Sequence, residues 1–407
     1  MKGVALQTIP IKELYEGLYD GPHATPKPST DGPVFLGIKN VTDDGRLDLS
    51  DIRHIAEDDF ALWTRRVEPQ PGDVVFTYEA TLNRYAIVPE GFRGCLVRRM
   101  ALIRPDTKKV DTHFLFYYFF TNEWRAVIAN NLLVGSTVDR IPLTKFPEFP
   151  VRVPPLPVQR RIAGILSAYD DLIENNQRRI KILEEMARSL YREWFVHFRF
   201  PGHDKVKMVP SPLGLIPQGW EVKKLGNLIS YNRCATKPGP HLDEHRYVPI
   251  DCLPSKSLAL LEAKPIEEAQ SSLQLFEKGD ILFGAMRPYF HKVVVAPFAG
   301  VTRTTCFVFK PMHQEWHAFA TMTAFEESTV AYANAHSQGA TIPYAVWDGS
   351  LAEMPLVIPP DALLRRFEKA VEPMLTRISQ SFFVLTNLRR TRDLLLPRLL
   401  SGQVNVA

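Results

Sequence analysis

Phe149-Pro150-Val151-Arg152-Val153-Pro154-Pro155, followed by Gln159-Arg160-Arg161-Ile162, returns later as Met354-Pro355-Leu356-Val357-Ile358-Pro359-Pro360, followed by Leu364-Arg365-Arg366-Phe367. The copies stand 205 positions apart at Pro150 and Pro355, at Pro154 and Pro359, and at Arg160 and Arg365. A repeat of this length means two folded domains, because solenoid repeats run to roughly 20–50 residues. In each copy a short strand ends at a proline pair, and proline is tolerated in the first turn of the helix that follows.

That helix is long in both copies. In the first, Ile162, Tyr169, Asn176, Leu183 and Leu190 share one heptad position, and Leu166, Ile173, Ile180, Ala187 and Trp194 share the other. In the second, Phe367, Met374, Ser381, Leu388 and Leu395 alternate with Val371, Ile378, Leu385, Arg392 and Leu399. Apolar a/d patterning over four or more heptads signals a coiled coil, with Gly202 and Gly402 as stops. About 40 residues make a rod roughly 60 Å long. Asn176, Ser381 and Arg392 interrupt the seam. They read either as exposed positions where a helix leaves it or as buried polar groups that fix register.

The repeat extends upstream. Val34-Phe35-Leu36-Gly37-Ile38 and Tyr247-Val248-Pro249-Ile250 read as corresponding strands, as do the turn-strand units Pro71-Gly72-Asp73-Val74-Val75-Phe76 and Lys278-Gly279-Asp280-Ile281-Leu282-Phe283. Gly135-Ser136-Thr137 corresponds to Gly339-Ala340-Thr341. Further strands are expected at Arg84 to Val88 and Cys95 to Ile103, and one helix at Thr112 to Asn130. Pro201 to Pro217, rich in Pro, Gly, Lys and Ser, reads as a linker. The fold class is α+β.

A chain of 407 residues is long enough for two or three domains of about 100–200 residues. Its 23% charged and 45% apolar residues are an ordinary globular composition that does not indicate disorder, and a net charge of +4 permits nucleic acid without demanding it. Cys95, Cys234, Cys252 and Cys306 form no CxxC, which argues against structural zinc and fits a reducing cytoplasm. Met1-Lys2-Gly3 opens no apolar signal segment and no stretch approaches about 18 apolar residues, so neither secretion nor a membrane span is expected.

Catalytic motifs are missing. There is no GxxxxGK[ST] loop, no GxGxxG after a strand, no GxSxG elbow and no HExxH, nor an Asn/Asp-Pro-Pro-aromatic motif of amino-methyltransferases. Pro105-Asp106-Thr107-Lys108 superficially matches metal-dependent nucleases but lacks the second carboxylate, and a surface turn explains it better. His113, His241, His245 and His291 are scattered. The chain is therefore expected to be no enzyme, with no metal site.

What occurs twice is a basic and aromatic loop beside the Gly-Asp strand. The first set is Tyr78, Asn83, Arg84 and Tyr85, followed by Arg93, Arg98 and Arg99. The second is Arg287, Tyr289, His291 and Lys292, followed by Arg303 and Thr304. Arginine grips guanine bidentately, asparagine grips adenine, and lysine and hydroxyls serve phosphates. The competing explanation is surface packing with cation–π pairs. The runs Arg178-Arg179-Lys181 and Arg389-Arg390-Arg392 read as solvated helix flanks.

Together, Gly72-Asp73-Val74-Val75-Phe76, Ala86-Ile87-Val88-Pro89, Gly135-Ser136-Thr137 with Ile141-Pro142, Pro154-Pro155-Leu156 with Gln159 and Ile162, and their second-half counterparts resemble the DNA-specificity subunits of type I restriction-modification systems. Asp170-Asp171-Leu172-Ile173-Glu174-Asn175-Asn176 and Leu190 to Phe195 are similar to that family's central helix. The resemblance covers nearly the whole chain, with two departures. The second helix carries Leu375-Thr376-Arg377-Ile378-Ser379-Gln380-Ser381 in place of the Asp-Asp-Leu-Ile stretch, and Leu364 replaces Gln159.

The resemblance implies two repeated target recognition domains (1–150 and 218–357), a central helix (151–200), a linker (201–217) and a C-terminal helix (358–402). The helices would pair as an antiparallel coiled-coil spacer through Leu166, Ile173, Ile180, Leu183, Leu190, Val371, Ile378, Leu385, Leu388 and Leu395. Each domain would read one half of a bipartite, non-palindromic site on double-stranded DNA. Two methylation subunits and a restriction subunit would dock on the chain, and S-adenosylmethionine, ATP and Mg would belong to them, with no cofactor here. The alternatives are a coiled-coil scaffold for protein partners and a fused nuclease using Asp106.

Overall fold

The computed structural model describes residues 6–135 and 138–400. Met1-Lys2-Gly3, Ser136-Thr137 and the expected stop Gly402 lie outside the described residues. The chain divides into two compact units. One comprises residues 1–171 with 390–407, the other Leu172–Arg389.

In the first unit, Gln7–Pro10 pairs antiparallel with Pro150–Val153, the strand that opens the repeat. A four-stranded antiparallel sheet runs in the order Tyr15–Asp20, Met100–Pro105, Val74–Thr77, Tyr85–Ile87. A smaller sheet orders Arg53–His54, Ser29–Leu36 and Gly94–Leu96, the last two parallel. Helices Thr112–Tyr118 and Asn122–Asn131 cover the larger sheet and supply an aromatic core. Trp124, Tyr85, Phe76, Phe119 and Phe146 are fully buried there. The Trp124 indole donates to the Tyr85 hydroxyl at 2.8 Å, so each aromatic body carries a satisfied polar tip.

The second unit repeats the order of the larger sheet, while its smaller sheet has four strands in place of three. Glu221–Lys224 pairs with Pro355–Ile358. The first sheet runs Ile229–Tyr231, Cys306–Pro311, Ile281–Gly284, Val293–Val295. The other runs Ala235–Thr236, Leu273–Phe276, Gly300–Arg303, Arg246–Tyr247, again ending in a parallel pair. Helices His317–Phe325 and Glu327–Ala335 follow.

Local differences from the sequence reading have local causes. The strand expected over Cys95 to Ile103 is two strands, because Arg99 sits at φ 71° between them. The single helix expected from Thr112 breaks after Tyr118, and the Thr121 hydroxyl caps the next one by accepting from Trp124 N at 3.1 Å. The expected linker contains a hairpin, Met208–Ser211 with Gly214–Pro217. Gly214 supplies the left-handed turn at φ 97°. Cys95, Cys252 and Cys306 are buried small side chains, and burial pushes the Cys306 thiol up to about 12.

The long helices are Leu156–Tyr191 and Asp361–Leu400. Within the first unit, Ile162 and Leu166 join Leu399 in the core, with Leu395 against it. Within the second, Ile173, Ile180 and Ala187 share a core with Val371, Ile378 and Leu385, and Leu183, Leu190 and Leu388 pack on it. Phe195, just past the first helix, meets Phe367 near the start of the second, with ring centroids 4.8 Å apart. The polar interruptions behave differently. Asn176 donates to Leu172 O (2.7 Å) and Ser381 to Arg377 O (2.9 Å), both inside their own helix. Arg392 instead donates to Asp170 of the other helix at 2.6 Å, and Asp170 also accepts from the Tyr117 hydroxyl at 2.5 Å. No helix among the described residues is long and apolar enough to cross a membrane.

His317, Glu368 and Glu372 place three ligand-type atoms within 4.8 Å of one another where helix His317–Phe325 packs on the second long helix. His317 Nδ1 lies 2.7 Å from Glu372 Oε2, and Nε2 lies 2.8 Å from Gly279 O. Glu368 accepts from Ala318 N at 2.8 Å. These contacts dock one helix on another, and no cation is needed to explain them. Burial pushes Glu368 up to about 7. Burial lowers His317, but the hydrogen bond and charge of Glu372 outweigh it and raise it.

Two expectations follow. Tyr85→Phe leaves the buried Trp124 N–H unpaired and should cost about 1–3 kcal/mol in urea unfolding. For both Glu368 and His317 the folded state holds its proton more tightly than the unfolded chain. Their stabilisation is therefore complete at mildly acidic pH and is lost as pH rises through about 7. The melting temperature of the protein should fall between about pH 5 and 8, and Glu368→Gln should flatten that fall. An equally steep fall in the variant would exclude Glu368 as its source.

Candidate nucleic-acid interface

Each unit aims one loop from a turn with a buried carboxylate. Gly72 at φ 87° and Gly279 at φ 91° adopt the left-handed conformation that glycine reaches without Cβ strain. Asp73 then accepts from Gln70 N at 2.8 Å, and Asp280 accepts from Glu277 N at 2.8 Å. Arg104 grips Asp73 through two nitrogens at 2.9 and 2.8 Å, while Lys310 Nζ stands 3.8 Å from Asp280. The strands leaving these turns end at the two candidate loops.

The loops are tied to the rest of their units in the same way. Tyr78 N donates to Arg99 O (3.2 Å), and Tyr78 O accepts from Ile141 N (2.8 Å). Correspondingly, Ala285 N donates to Thr305 O (2.9 Å), and Ala285 O accepts from Ala345 N (2.8 Å). Three separate segments therefore meet at one rim in each unit. Ala80, Asn83 and Arg99 in the first unit, and Arg287 and His291 in the second, hold left-handed φ values between 52° and 71°. Such non-glycine strain, of order 1–3 kcal/mol each, concentrates at functional loops.

The side chains separate into three groups. Tyr85 and His291 belong to the core, which corrects their assignment as DNA contacts. Tyr85 is fully buried against Trp124, and His291 Nε2 lies 2.9 Å from Phe325 O, with burial lowering its basicity. Tyr78 is likewise buried, its hydroxyl without a partner.

A second group is polar and already engaged. Arg84 donates to Asp43 through two nitrogens at 2.6 and 3.1 Å, and Arg99 to Glu79 at 3.2 Å. Arg93 pairs with Glu57 and lies over Phe60 at 4.5 Å. Lys292 donates to Ile250 O at 2.9 Å, and Asn83 Oδ1 accepts weakly from Tyr85 OH at 3.4 Å.

The third group faces outward. Arg98, Tyr289, Arg303 and Thr304 are exposed, and Arg287 is half-buried. Arg98, Arg287 and Arg303 make no ion pair among the described residues. Free guanidinium groups beside hydroxyls and an aromatic ring suit phosphate and base-edge contact. Among the described residues, nothing at either rim couples a nucleophile to a base. Asp106 pairs with Lys109 at 3.1 Å in its turn, as a surface position would.

The sequence reading missed the acidic partners. Glu79 lies close enough in the chain to have been suspected, whereas Asp43 reaches Arg84 across 41 positions with no local signal. It also missed a cavity of about 380 Å³ in the first unit lined by Asp43, Tyr117, Arg125, Asp170 and Arg392.

Residues 65–185 match the type I restriction modification DNA specificity domain, a span containing the whole first rim. The MjaIX specificity subunit of Methanocaldococcus jannaschii, a type I restriction enzyme component, is 25% identical over 377 residues, covering 87% of this chain and 82% of the relative. The HindI specificity subunit of Haemophilus influenzae is 27% identical over 132 residues, 31% of this chain and 28% of its own. In fold, the chain is similar to the crystal structure of the type I restriction-modification S subunit from M. genitalium. The TM-score is 0.58 at 14% identity, with 98% of this chain and 97% of that one covered. Over most of its length the chain is thus similar to type I restriction enzyme specificity subunits, and its residues 65–185 match their DNA specificity domain.

Arg303→Ala should weaken DNA binding by the assembled complex and reduce the slope of log K against log salt by about 1. Removing Arg84 and Asp43 together should leave that slope nearly unchanged, since the pair is neutral. Equal slope losses in both variants would contradict the division into free and engaged arginines.

Proposed function

We propose that this chain is the sequence-specific DNA-binding subunit of a type I restriction-modification complex, non-catalytic itself, and that each unit reads one part of a bipartite, non-palindromic site. The observation that carries this is the recurrence of one rim, built on the same Gly-Asp turn and the same cross-ties, with different side chains in each unit. Common scaffolding with unlike contacts suits two different half-sites. The target recognition domains would be residues 1–150 and 218–357, with Arg98 facing one half-site, Arg99 and Asn83 positioned beside it by their neighbours, and Arg287, Tyr289, Arg303 and Thr304 facing the other. Arg84 and Lys292 are held by neighbouring groups and would position their loops.

The long helices would act as an antiparallel coiled-coil spacer over 151–200 and 358–402. Ile162 and Leu166 cluster with Leu395 and Leu399, whereas Phe195 meets Phe367, as opposite chain directions require. Two contacts on one face of a duplex are separated by near-integral helical turns, so spacer length would set the unread gap. Linking the two readers raises the effective concentration of each at its half-site. Two methylation subunits and a restriction subunit would dock on the chain in the cytoplasm and carry S-adenosylmethionine, ATP and Mg. A protein scaffold alone would give no reason for the strained, cation-bearing rims.

Single-molecule sequencing of the source genome with and without this gene tests the reading. One gapped methylated motif should vanish with the gene. A complex that assembles and methylates DNA without motif preference would refute it.

A further inference from the structure

Tyr289 and Phe290 are 50% and 43% exposed at the apex of the second unit's rim. Their ring contact is with each other, at 4.7 Å and 49°. Water-exposed aromatic pairs normally fold back onto apolar surface, but this one is held out. Arg287 and His291 bracket it, both left-handed at φ 52°. Pro288 is buried, Arg287 N donates to Pro343 O at 2.7 Å, and His291 is fixed to Phe325 O. The loop is therefore preorganised against helix Glu327–Ala335, and about half of each ring at its apolar tip is left to solvent.

The surroundings favour an anionic partner. Residues 285–292, 302–305 and 338–344 meet at this rim and hold Arg287, Lys292 and Arg303 without a single Asp or Glu. The first unit differs in both respects. Thr81 and Leu82 occupy the corresponding tip, with Leu82 packed on the core, and Glu79 and Asp139 lie among its rim segments.

We propose that Tyr289 and Phe290 form an aromatic wedge that enters the duplex at one base step of the half-site read by the second unit. The proposal rests on the DNA-binding reading above. Apolar side chains inserted between base pairs unstack the step and kink the duplex, and flanking cations hold the phosphates on either side. Pyrimidine–purine steps open most easily, so such a step is the preferred point of entry. The second unit then selects sequence partly through deformability, whereas the first relies on polar contacts.

The test uses the complex with its methylation subunits on a duplex carrying the motif that disappears from the methylome with this gene. 2-Aminopurine is scanned through both half-sites. The wild type should show an unstacking signal at one step in one half-site only, separate from any base extruded for methylation. Tyr289→Ala/Phe290→Ala should abolish that signal and weaken binding about ten- to a hundredfold. Phe290→Leu, which keeps an apolar tip, should retain the signal and so guard against a misfolded variant. A double variant that keeps the signal, or a wild type that binds the motif with no such step, overturns the wedge. A wild-type complex that does not prefer the motif duplex over a scrambled one overturns the DNA reading itself.

Discussion

Both proposed recognition rims depend on a carboxylate placed where it cannot meet water. The side chain of Asp73 is 3% exposed and that of Asp280 is 7% exposed. An acid in such a place persists only if its oxygens are satisfied, and each accepts the backbone N–H three residues earlier. That bond closes the turn, the left-handed glycine before it sets the exit direction, and the strand then delivers the rim within a few residues. The turn thus fixes the loop's position while leaving the composition of its tip free. Arg104 in one unit and Lys310 in the other provide the countercharge from the same neighbouring strand position in the sheet.

The long helices pose a different problem, since a heptad seam specifies contact but not register. In the proposed spacer, register has a polar key within the first unit. Arg392 sits at a seam position, holds Asp170 of the other helix, and thereby aims Asp170 at the Tyr117 hydroxyl. A slide by one heptad would strand a half-buried guanidinium and its carboxylate apart, a cost that apolar seam residues alone would not impose.

Much of this was legible in the sequence because the repeat is written in residues with strong local meaning. Proline pairs end strands, Gly-Asp makes turns, and heptads make long helices. The α+β class, the long helices and the rim loops all follow from such signals. The fate of individual side chains was not legible. Tyr85 and Tyr289 are alike as letters, but one fills the core beneath Trp124 and the other stands in solvent. Their difference is decided by distant packing, and no nearby residue announces it. Arg84 and Arg303 illustrate the same limit for charge, since Asp43 is remote in the chain. The break at Arg99 was hidden for a related reason, because its unfavourable backbone is held by ties from Tyr78 N and Glu79, some 20 positions away.

The pairing of Arg84 with Asp43 has a consequence for how such a protein drifts over generations. Losing Arg84 alone would leave an uncompensated carboxylate, 83% exposed, beside the first unit's rim. Near a polyanion that residue would change from neutral background to active repulsion. Altered preference in the first unit is then most accessible through paired substitutions, while the second unit, with its unpaired arginines, can change one residue at a time. The two halves of a single chain would accumulate new specificities at unequal tempo.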